Sequence, residues 1–381
     1  MASALFSSVT LRGMTLTNRI VVSPMSQFCG EDGLMHDWHL MHLGNLAVSG
    51  AGLVMTEVVY VEPRGRVGPG CIGLYDDACE NSIARVHDFC RRWGKASLGI
   101  QLGHAGRKGS ILPPWKGRAW IPPEEGGWET VGPSSVTMGP PYPKPHALSI
   151  SEIGELVIQF TAAARRAARI GFDVLELHAA HGYLFHQFLS PQSNLRNDAY
   201  GGSQANRRRF LIETFAAVRG VWPVDRPIGV RLSAVDWAKD GIVLDETIEV
   251  TRDLKALGCD YIVATSGGLA SDQPIPIAPG YQVPFAAAIR EAVGIPTMAV
   301  GMITDPHLAE NIVATGKADL VALARGMMYL PRWAWHAAEA LGVTDVSYPV
   351  QYERARPEGQ LRDAGNWTVS DLERARAAQG R

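Results

Sequence analysis

The segment His178-Ala-Ala-His181-Gly-Tyr183 places three titratable side chains within six residues. On a continuing strand, positions i and i+3 face opposite sides, so the two imidazoles meet only if the strand ends between them. Two imidazoles in one pocket form a donor pair for a carbonyl or another oxyanion. The phenol of Tyr183 adds a group that can give up a proton there. The segment therefore predicts stabilisation of a developing negative charge together with proton donation.

Two other interpretations of this segment stay open from the residues alone. The His-x-x-His spacing is half of a metal site, but no third ligand at a typical spacing follows, so we expect no metal. Either histidine could also be structural, which is the usual role of an isolated histidine at a strand end. Three titratable side chains at one strand end favour a functional role over a structural one.

The elements that position this segment form a regular series. Short apolar, β-branched runs alternate with amphipathic stretches, which is typical of parallel strands buried on both faces and joined by helices. The runs predicted as strands are 19–25, 52–61, 96–103, 172–180, 227–234, 261–268, 296–303 and 318–326. The clearest helical patterns, each followed by a glycine, are 161–169, 244–257 and 305–315. Eight units predict an α/β fold, a closed (β/α)8 TIM barrel, with an open doubly wound sheet as the alternative.

Two segments depart from the alternation. Residues 9–18 predict a short hairpin with its turn at Arg12 and Gly13, which would cap the bottom of the barrel. Residues 108–148 form a long excursion after the third strand, rich in proline and glycine and containing three tryptophans. A loop of this length is usually functional or disordered. Its aromatic content favours a lid over the upper face, where barrel enzymes keep their active sites, over a plain surface insertion.

Composition narrows the classes of function. The chain of 381 residues has a formal net charge of −2, so we expect no nucleic-acid partner. No apolar run is long enough to span a bilayer, and the N-terminus lacks the features of a signal peptide. Five cysteines without a CxxC pair fit reduced thiols. We expect a cytoplasmic enzyme, a single barrel over 1–381, that acts on a small molecule.

The sequence resembles the old yellow enzyme family, in its thermophilic-like branch, over nearly the whole chain. The segments that carry the resemblance are 16–25, 99–108, 171–183, 186–208, 279–283, 300–304 and 351–354. The resemblance implies an FMN-dependent ene-reductase with noncovalently bound FMN. NADPH, or less often NADH, would reduce the flavin, which would then reduce the carbon–carbon double bond of an enone, enal, maleimide or nitroalkene.

The resemblance also implies a role for each matching residue. His178 and His181 would hold the substrate carbonyl, and Tyr183 would protonate the α-carbon. The residues implied to contact FMN are Ser23, Pro24, Met25, Ser26, Tyr60, Gln101, Arg231, Gly301, Ala324 and Arg325.

Within the FMN set, different residues would hold different parts of the cofactor. Gln101 would bind the pyrimidine edge, and Tyr60 would contact the ring through its backbone. The guanidinium of Arg231 would stabilise the negative charge that reduced flavin gains at N1 and O2. The phosphate would lie near Gly301 and Arg325, unless Arg325 only forms a salt bridge at the rim. Whether Lys108 touches flavin or a loop carboxylate stays open.

Three positions depart from the branch pattern, which usually has Cys at Ser26, Tyr at Phe28 and a small residue at Tyr60. Ser26 cannot form a thiolate, and Phe28 lacks the phenol that would orient substrate. One hypothesis is that the Tyr60 hydroxyl replaces that phenol from another wall of the substrate site. The alternative is drift in a tolerant pocket, or a Tyr60 that points into the lid.

Branch members associate so that an arginine near the C-terminus enters the neighbouring subunit's site. Arg354 matches that position, so the resemblance implies a homodimer or homotetramer in which residues 345–381 form an interface segment and tail.

Three other classes of protein are alternatives to an ene-reductase. The first is a flavin barrel fused to electron carriers, which would need a cysteine cluster and a further domain. The second is a non-redox barrel enzyme that uses the histidines as acid and base. The third is a flavin-binding protein with weak reductase activity.

Overall fold

A closed parallel barrel forms the centre of the structure, a computed structural model that describes residues 2–271 and 273–355. The strands in chain order are β1 Val9–Leu11, β2 Met14–Leu16, β3 Ile20–Val22, β4 Leu53–Tyr60, β5 Ser97–Gly103, β6 Val131–Gly132, β7 His146–Ala147, β8 Val174–Ala179, β9 Ile228–Ser233, β10 Tyr261–Thr265, β11 Thr297–Ala299 and β12 Leu320–Leu323. The barrel runs β3-β4-β5-β8-β9-β10-β11-β12 and closes onto β3, with every neighbouring pair parallel. The predicted (β/α)8 barrel is confirmed, and the open sheet is excluded.

Helices cover the outside of the barrel. They are α1 Asp37–Ala47, α2 Asp77–Trp93, α3 Ile150–Ile170, α4 Leu184–Leu189, α5 Gln204–Val221, α6 Leu244–Ala256, α7 Val283–Val293, α8 Pro306–Ala314, α9 Arg325–Tyr329 and α10 Trp333–Ala340. None of the helices in the described ranges is long and apolar enough to cross a membrane. Helix α3 begins well before the pattern at 161–169, because Ser149 and Glu152 form a capping box at its start.

All of the predicted strands except 96–103, which ends with β5, extend past the observed strands at their carboxyl ends. The run 318–326, for example, contains β12 and the start of α9. Most residues that follow the strands are still apolar or buried because they line the rim, although they leave the hydrogen-bonded ladder; the exposed Arg325 is an exception. Hydrophobicity therefore reports burial at these positions rather than strand pairing.

The hairpin β1–β2 caps the bottom of the barrel, as predicted. Its strands pair antiparallel, with Arg12 in the left-handed conformation at the turn. Leu11 and Leu16 are buried in one cluster with inward-facing barrel residues such as Val21 and Tyr261. The bottom of the barrel axis is therefore filled with apolar side chains.

The excursion between β5 and α3 packs against the upper rim. It contains the short parallel pair β6–β7 and a hydrogen-bonded loop in which Ser110 Oγ donates to the carbonyl of Ile121. Ile111 packs in a cluster with Tyr60 and Val58 of β4. The segment therefore lies over the carboxyl ends of β4 and β5, where strand-end side chains collect.

Candidate active site at the carboxyl end of the barrel

The chain leaves β8 through a left-handed turn that separates the two histidines. His181 and Gly182 have φ angles of +57° and +72°. A side chain on residue 182 would place its Cβ 2.2 Å from the carbonyl oxygen of Gly268, so only glycine fits. Because the strand ends between His178 and His181, their rings meet with centroids 5.2 Å apart and planes at 74°.

Tyr183 lies on the same side of this turn. Its ring centroid is 4.6 Å from that of His178. The fully buried Tyr60, at the end of β4, donates a hydrogen bond of 3.4 Å from its hydroxyl to the Tyr183 hydroxyl oxygen. Because that oxygen accepts from Tyr60, the proton of Tyr183 remains available to another acceptor.

Burial keeps these groups uncharged. It lowers the pKa of His178 and of His181 well below the usual imidazole value, and the nearby Arg231 cation lowers both further. Burial likewise raises the pKa of the Tyr183 phenol. At neutral pH the pair therefore consists of neutral imidazoles, each with one N–H donor, beside a protonated phenol.

A cavity of about 200 Å³ opens beside His181. The predicted residues that line it are Ser23, His181, Arg231, Gly301, Ala324 and Arg325. Thr265, Tyr281 and Gln282 also line it, although no role had been predicted for them. Thr265 Oγ1 lies 2.9 Å from His181 Nε2, and Gln282 Oε1 accepts from the Thr265 hydroxyl at 2.9 Å. Because the Thr265 hydroxyl donates to Gln282, His181 Nε2 carries the ring proton and donates it to Thr265 Oγ1, a partner that a substrate oxygen would have to replace.

Unpartnered donors make this cavity suitable for FMN. Arg231 Nη1 donates to Ser23 Oγ at 3.0 Å, while its Nε is buried without a hydrogen-bond partner among the described residues. Arg325 contacts Met302 Sδ at 3.6 Å, and no carboxylate partner for it is found in the described chain. Gly301 has φ +107°, and a side chain there would strike Tyr281 and Gln282. Free guanidinium donors beside an exposed backbone fit the acceptor-rich ring and the phosphate of FMN.

Gln101 does not line this cavity and is held inside the barrel. Its Nε2 donates to Glu176 Oε1 at 2.5 Å, and Tyr261 donates to Glu176 Oε2 at 3.1 Å. Burial raises the pKa of Glu176, and the Arg231 cation opposes that shift. Sequence reasoning missed Glu176, although an acidic residue in the middle of a buried strand was a usable signal. The carboxylate can only accept from Gln101, so it fixes which face of that amide is an acceptor.

The remaining predicted residues lie at the edge of the site. Pro24, Met25 and Ser26 follow β3 and are half-buried. Phe28 has φ +53° and meets Trp115 of the excursion edge to face, with centroids 6.1 Å apart.

Lys108 touches no carboxylate among the described residues. Its ammonium donates to the carbonyls of His181 and Gly268 at 2.8 and 3.0 Å and lies 5.7 Å from the centre of the Tyr183 ring. Burial, with help from neighbouring arginines, lowers the pKa of Lys108 to about 8. Of the two contacts left open for Lys108, the one with a loop carboxylate is not found, because the turn after β8 presents backbone carbonyls to its ammonium.

Within the part of the chain that is described, one group of side chains is close enough to hold a metal, namely Cys29, His36 and His39. Its nitrogens already have other partners. His36 Nδ1 accepts from the Trp38 amide and its Nε2 contacts the Cys29 carbonyl, while His39 Nδ1 accepts from the His36 amide. Burial also raises the pKa of the Cys29 thiol to about 12. The group is therefore arranged as a helix cap and not as a set of free ligands.

Comparison with known proteins agrees with this geometry. Residues 4–343 match the family described as NADH:flavin oxidoreductase / NADH oxidase. The chain is 41% identical over 356 residues to an NADPH dehydrogenase of Geobacillus thermodenitrificans and 43% identical over 355 residues to one of Listeria innocua. Each match covers 93% of this chain and 99% of the relative.

Solved structures agree as well. Morphinone reductase in complex with tetrahydroNAD superposes with a TM-score of 0.73 at 26% identity, over 88% of this chain and 91% of that one. A 2-naphthoyl-CoA reductase has the same fold, with a TM-score of 0.80 at 24% identity, over 91% of this chain and 53% of that one. The chain thus belongs to the old yellow enzyme family and is an NAD(P)H-dependent flavin oxidoreductase that uses FMN.

Proposed function

We propose that this enzyme reduces the carbon–carbon double bond of alkenes activated by a carbonyl or nitro group. The observation that carries the proposal is the arrangement of two neutral imidazoles and a protonated phenol around one point at the carboxyl end of β8. Two adjacent N–H donors match the oxygen of an electron-withdrawing group, and a phenol beside them matches a site of protonation. A non-redox acid–base role for the histidines does not fit a flavin oxidoreductase.

The side chains would share the reaction as follows. When bound, FMN would supply the hydride, which originates from NAD(P)H. His178 and His181 hold the activating oxygen of the substrate and stabilise the negative charge that grows there. Tyr183 gives its proton to the α-carbon, and the hydrogen bond from Tyr60 stabilises the phenolate left behind. Arg231 and Ser23 would hold the ring of the cofactor, while Gly301, Ala324 and Arg325 would hold its phosphate.

Neutral donors predict a flat pH dependence for ligand binding. Because the pKa of each histidine lies well below 6.5, neither ring changes charge between about pH 5.5 and 7. The dissociation constant of cyclohexenone with the oxidised enzyme should therefore stay constant over that range. Weaker binding as the pH rises through about 6.5 would show a cationic imidazole and would contradict this assignment.

Loss of either histidine should slow reduction of the alkene more than it affects binding of the cofactor. His178→Ala or His181→Ala removes one donor from the oxyanion, which typically costs about 3 kcal/mol in the transition state. Stopped-flow measurement should show slower reoxidation of the reduced enzyme by cyclohexenone with FMN content unchanged. The exposed His307 offers a matched control, since His307→Ala removes an imidazole that does not line the cavity. Wild-type turnover of enones in the His178→Ala/His181→Ala double variant would exclude the pair.

Tyr60 is proposed to act as the phenol that Phe28 lacks. Tyr60→Phe removes the hydrogen bond to Tyr183, so we expect reduction of enones to slow by more than about tenfold, roughly 1.4 kcal/mol. Adding Phe28→Tyr to that variant should recover part of the loss. Tyr200→Phe is a suitable control, because the Tyr200 hydroxyl binds Glu213 on the surface. Full activity of Tyr60→Phe across several enones would leave the phenol without this role.

We also propose that subunits associate and that Arg354 enters the neighbouring site. The Arg354 side chain lies outside the described residues, so the proposal rests on the family resemblance and on exposed apolar groups nearby. Tyr329 and Val350 are 93% and 75% exposed, so apolar surface is available there for a contact between subunits. Sedimentation velocity should show a dimer or tetramer, and Arg354→Ala should slow alkene reduction. A fully active monomer would contradict the proposal.

A further inference from the structure

The turn at His181 and Gly182 has all four of its backbone polar atoms bound by side chains. The His181 amide donates to Ser233 Oγ at 2.9 Å, and the His181 carbonyl accepts from Lys108 at 2.8 Å. The Gly182 amide donates to His186 Nδ1 at 2.8 Å, and the Gly182 carbonyl accepts from Gln187 Nε2 at 2.7 Å. These four side chains, which we term the turn cradle, come from β9, the loop after β5, and α4.

The turn cradle stabilises an unfavourable backbone conformation. A residue with a Cβ rarely adopts the left-handed conformation, and it persists there only when its surroundings enforce it. His181 has this conformation, with φ +57°. Its ring direction is set by the backbone that carries it, so freedom in the turn would become freedom in the position of the imidazole. A donor must be held within a fraction of an ångström to stabilise charge effectively.

Within the cradle, His186 is fixed by a hydrogen bond at each of its two ring nitrogens. Its side chain is fully buried and does not reach the cavity. Because Nδ1 accepts from the Gly182 amide, the proton of the neutral ring lies on Nε2, which donates to Asp236 Oδ1 at 2.7 Å. Asp236 Oδ2 in turn accepts from Ser190 Oγ at 2.7 Å and from the Ile242 amide at 2.9 Å. The carboxylate therefore fixes both the tautomer and the rotation of the His186 ring.

We propose that His186, held by Asp236, is a positioning residue for alkene reduction that locks the left-handed turn and so aims the His181 imidazole at the substrate oxygen. The inference rests on the proposed function, because only a donor role for His181 makes its exact position matter. His186 acts through the Gly182 amide and touches neither substrate nor cofactor. The loop after β9, which carries Asp236, thereby supports a side chain presented by β8.

Two substitutions test the two hydrogen bonds of His186 separately, the one with the Gly182 amide and the one with Asp236. Counted in covalent bonds from Cα, the amide oxygen of asparagine matches Nδ1, and the amide nitrogen of glutamine matches Nε2. His186→Asn therefore keeps an acceptor for the Gly182 amide, whereas His186→Gln keeps only a donor for Asp236. Ser190→Ala is the matched control, since it removes another partner of Asp236 without touching the turn.

The readout is the dissociation constant of para-hydroxybenzaldehyde with the oxidised holoenzyme, measured by its effect on the flavin spectrum, together with Tm and FMN content. We expect His186→Gln to weaken binding at least about tenfold, and His186→Asn and Ser190→Ala to stay within about threefold of wild type. Both His186 variants lose one buried contact, so both should lower Tm. If the dissociation constants of the two His186 variants differ while their Tm values are alike, the effect is one of positioning and not of general destabilisation.

Two results would overturn the inference. One is wild-type affinity in His186→Gln, and the other is a loss of affinity that simply follows Tm across all three variants. If His186→Gln does not fold, Gln187→Met tests the same turn by removing the donor to the Gly182 carbonyl, and it should show the same selective loss. His181→Ala, measured in parallel, tests the proposed function itself. Unchanged affinity there would reject the donor pair, whereas weak binding in His181→Ala with normal binding in His186→Gln would reject only the positioning role.

Discussion

Closure of a parallel barrel forces the carboxyl ends of all eight strands onto one rim, and the site depends on that constraint. β8 presents the histidines there, β9 presents Arg231, and the ends of β11 and β12 present Gly301 and Arg325. The opposite end of the barrel axis is filled by the apolar hairpin and the inward-facing residues that it contacts. These residues are far apart in the sequence, and they come close together in space only because the barrel closes.

Charge around the cavity follows a consistent pattern. Three cations, Arg231, Lys108 and Arg325, face the site, and the carboxylate that most affects Arg231 is Glu176 inside the barrel. Such an environment favours anionic groups such as a phosphate and opposes further positive charge. The same field, added to burial, keeps the imidazoles neutral. One set of cations thus favours an anionic cofactor and also helps to keep the residues proposed to bind substrate uncharged.

The sequence predicted the parts of this arrangement that depend on local pattern. Alternating apolar runs predicted the barrel, and polar residues at the ends of those runs predicted the rim, including His178, His181 and Arg231. Contacts that join distant segments were not predictable. Asp236 lies fifty residues after His186, and nothing near either residue marks the pair. The pairing of Thr265 with Gln282 was likewise not predictable from the sequence, because their hydrogen bond depends on how the loop after β10 folds back.

The most direct test of the account follows the flavin through one full cycle without oxygen. Purified enzyme is reduced with one equivalent of NADPH, and cyclohexenone is then added while the visible absorbance is recorded and the product is quantified. The account predicts that NADPH bleaches the flavin bands and that the enone restores them with formation of one equivalent of cyclohexanone. If the bleached enzyme ignores cyclohexenone, a maleimide and a nitroalkene alike, and regains colour only in air, the enzyme oxidises NADPH but is not an alkene reductase.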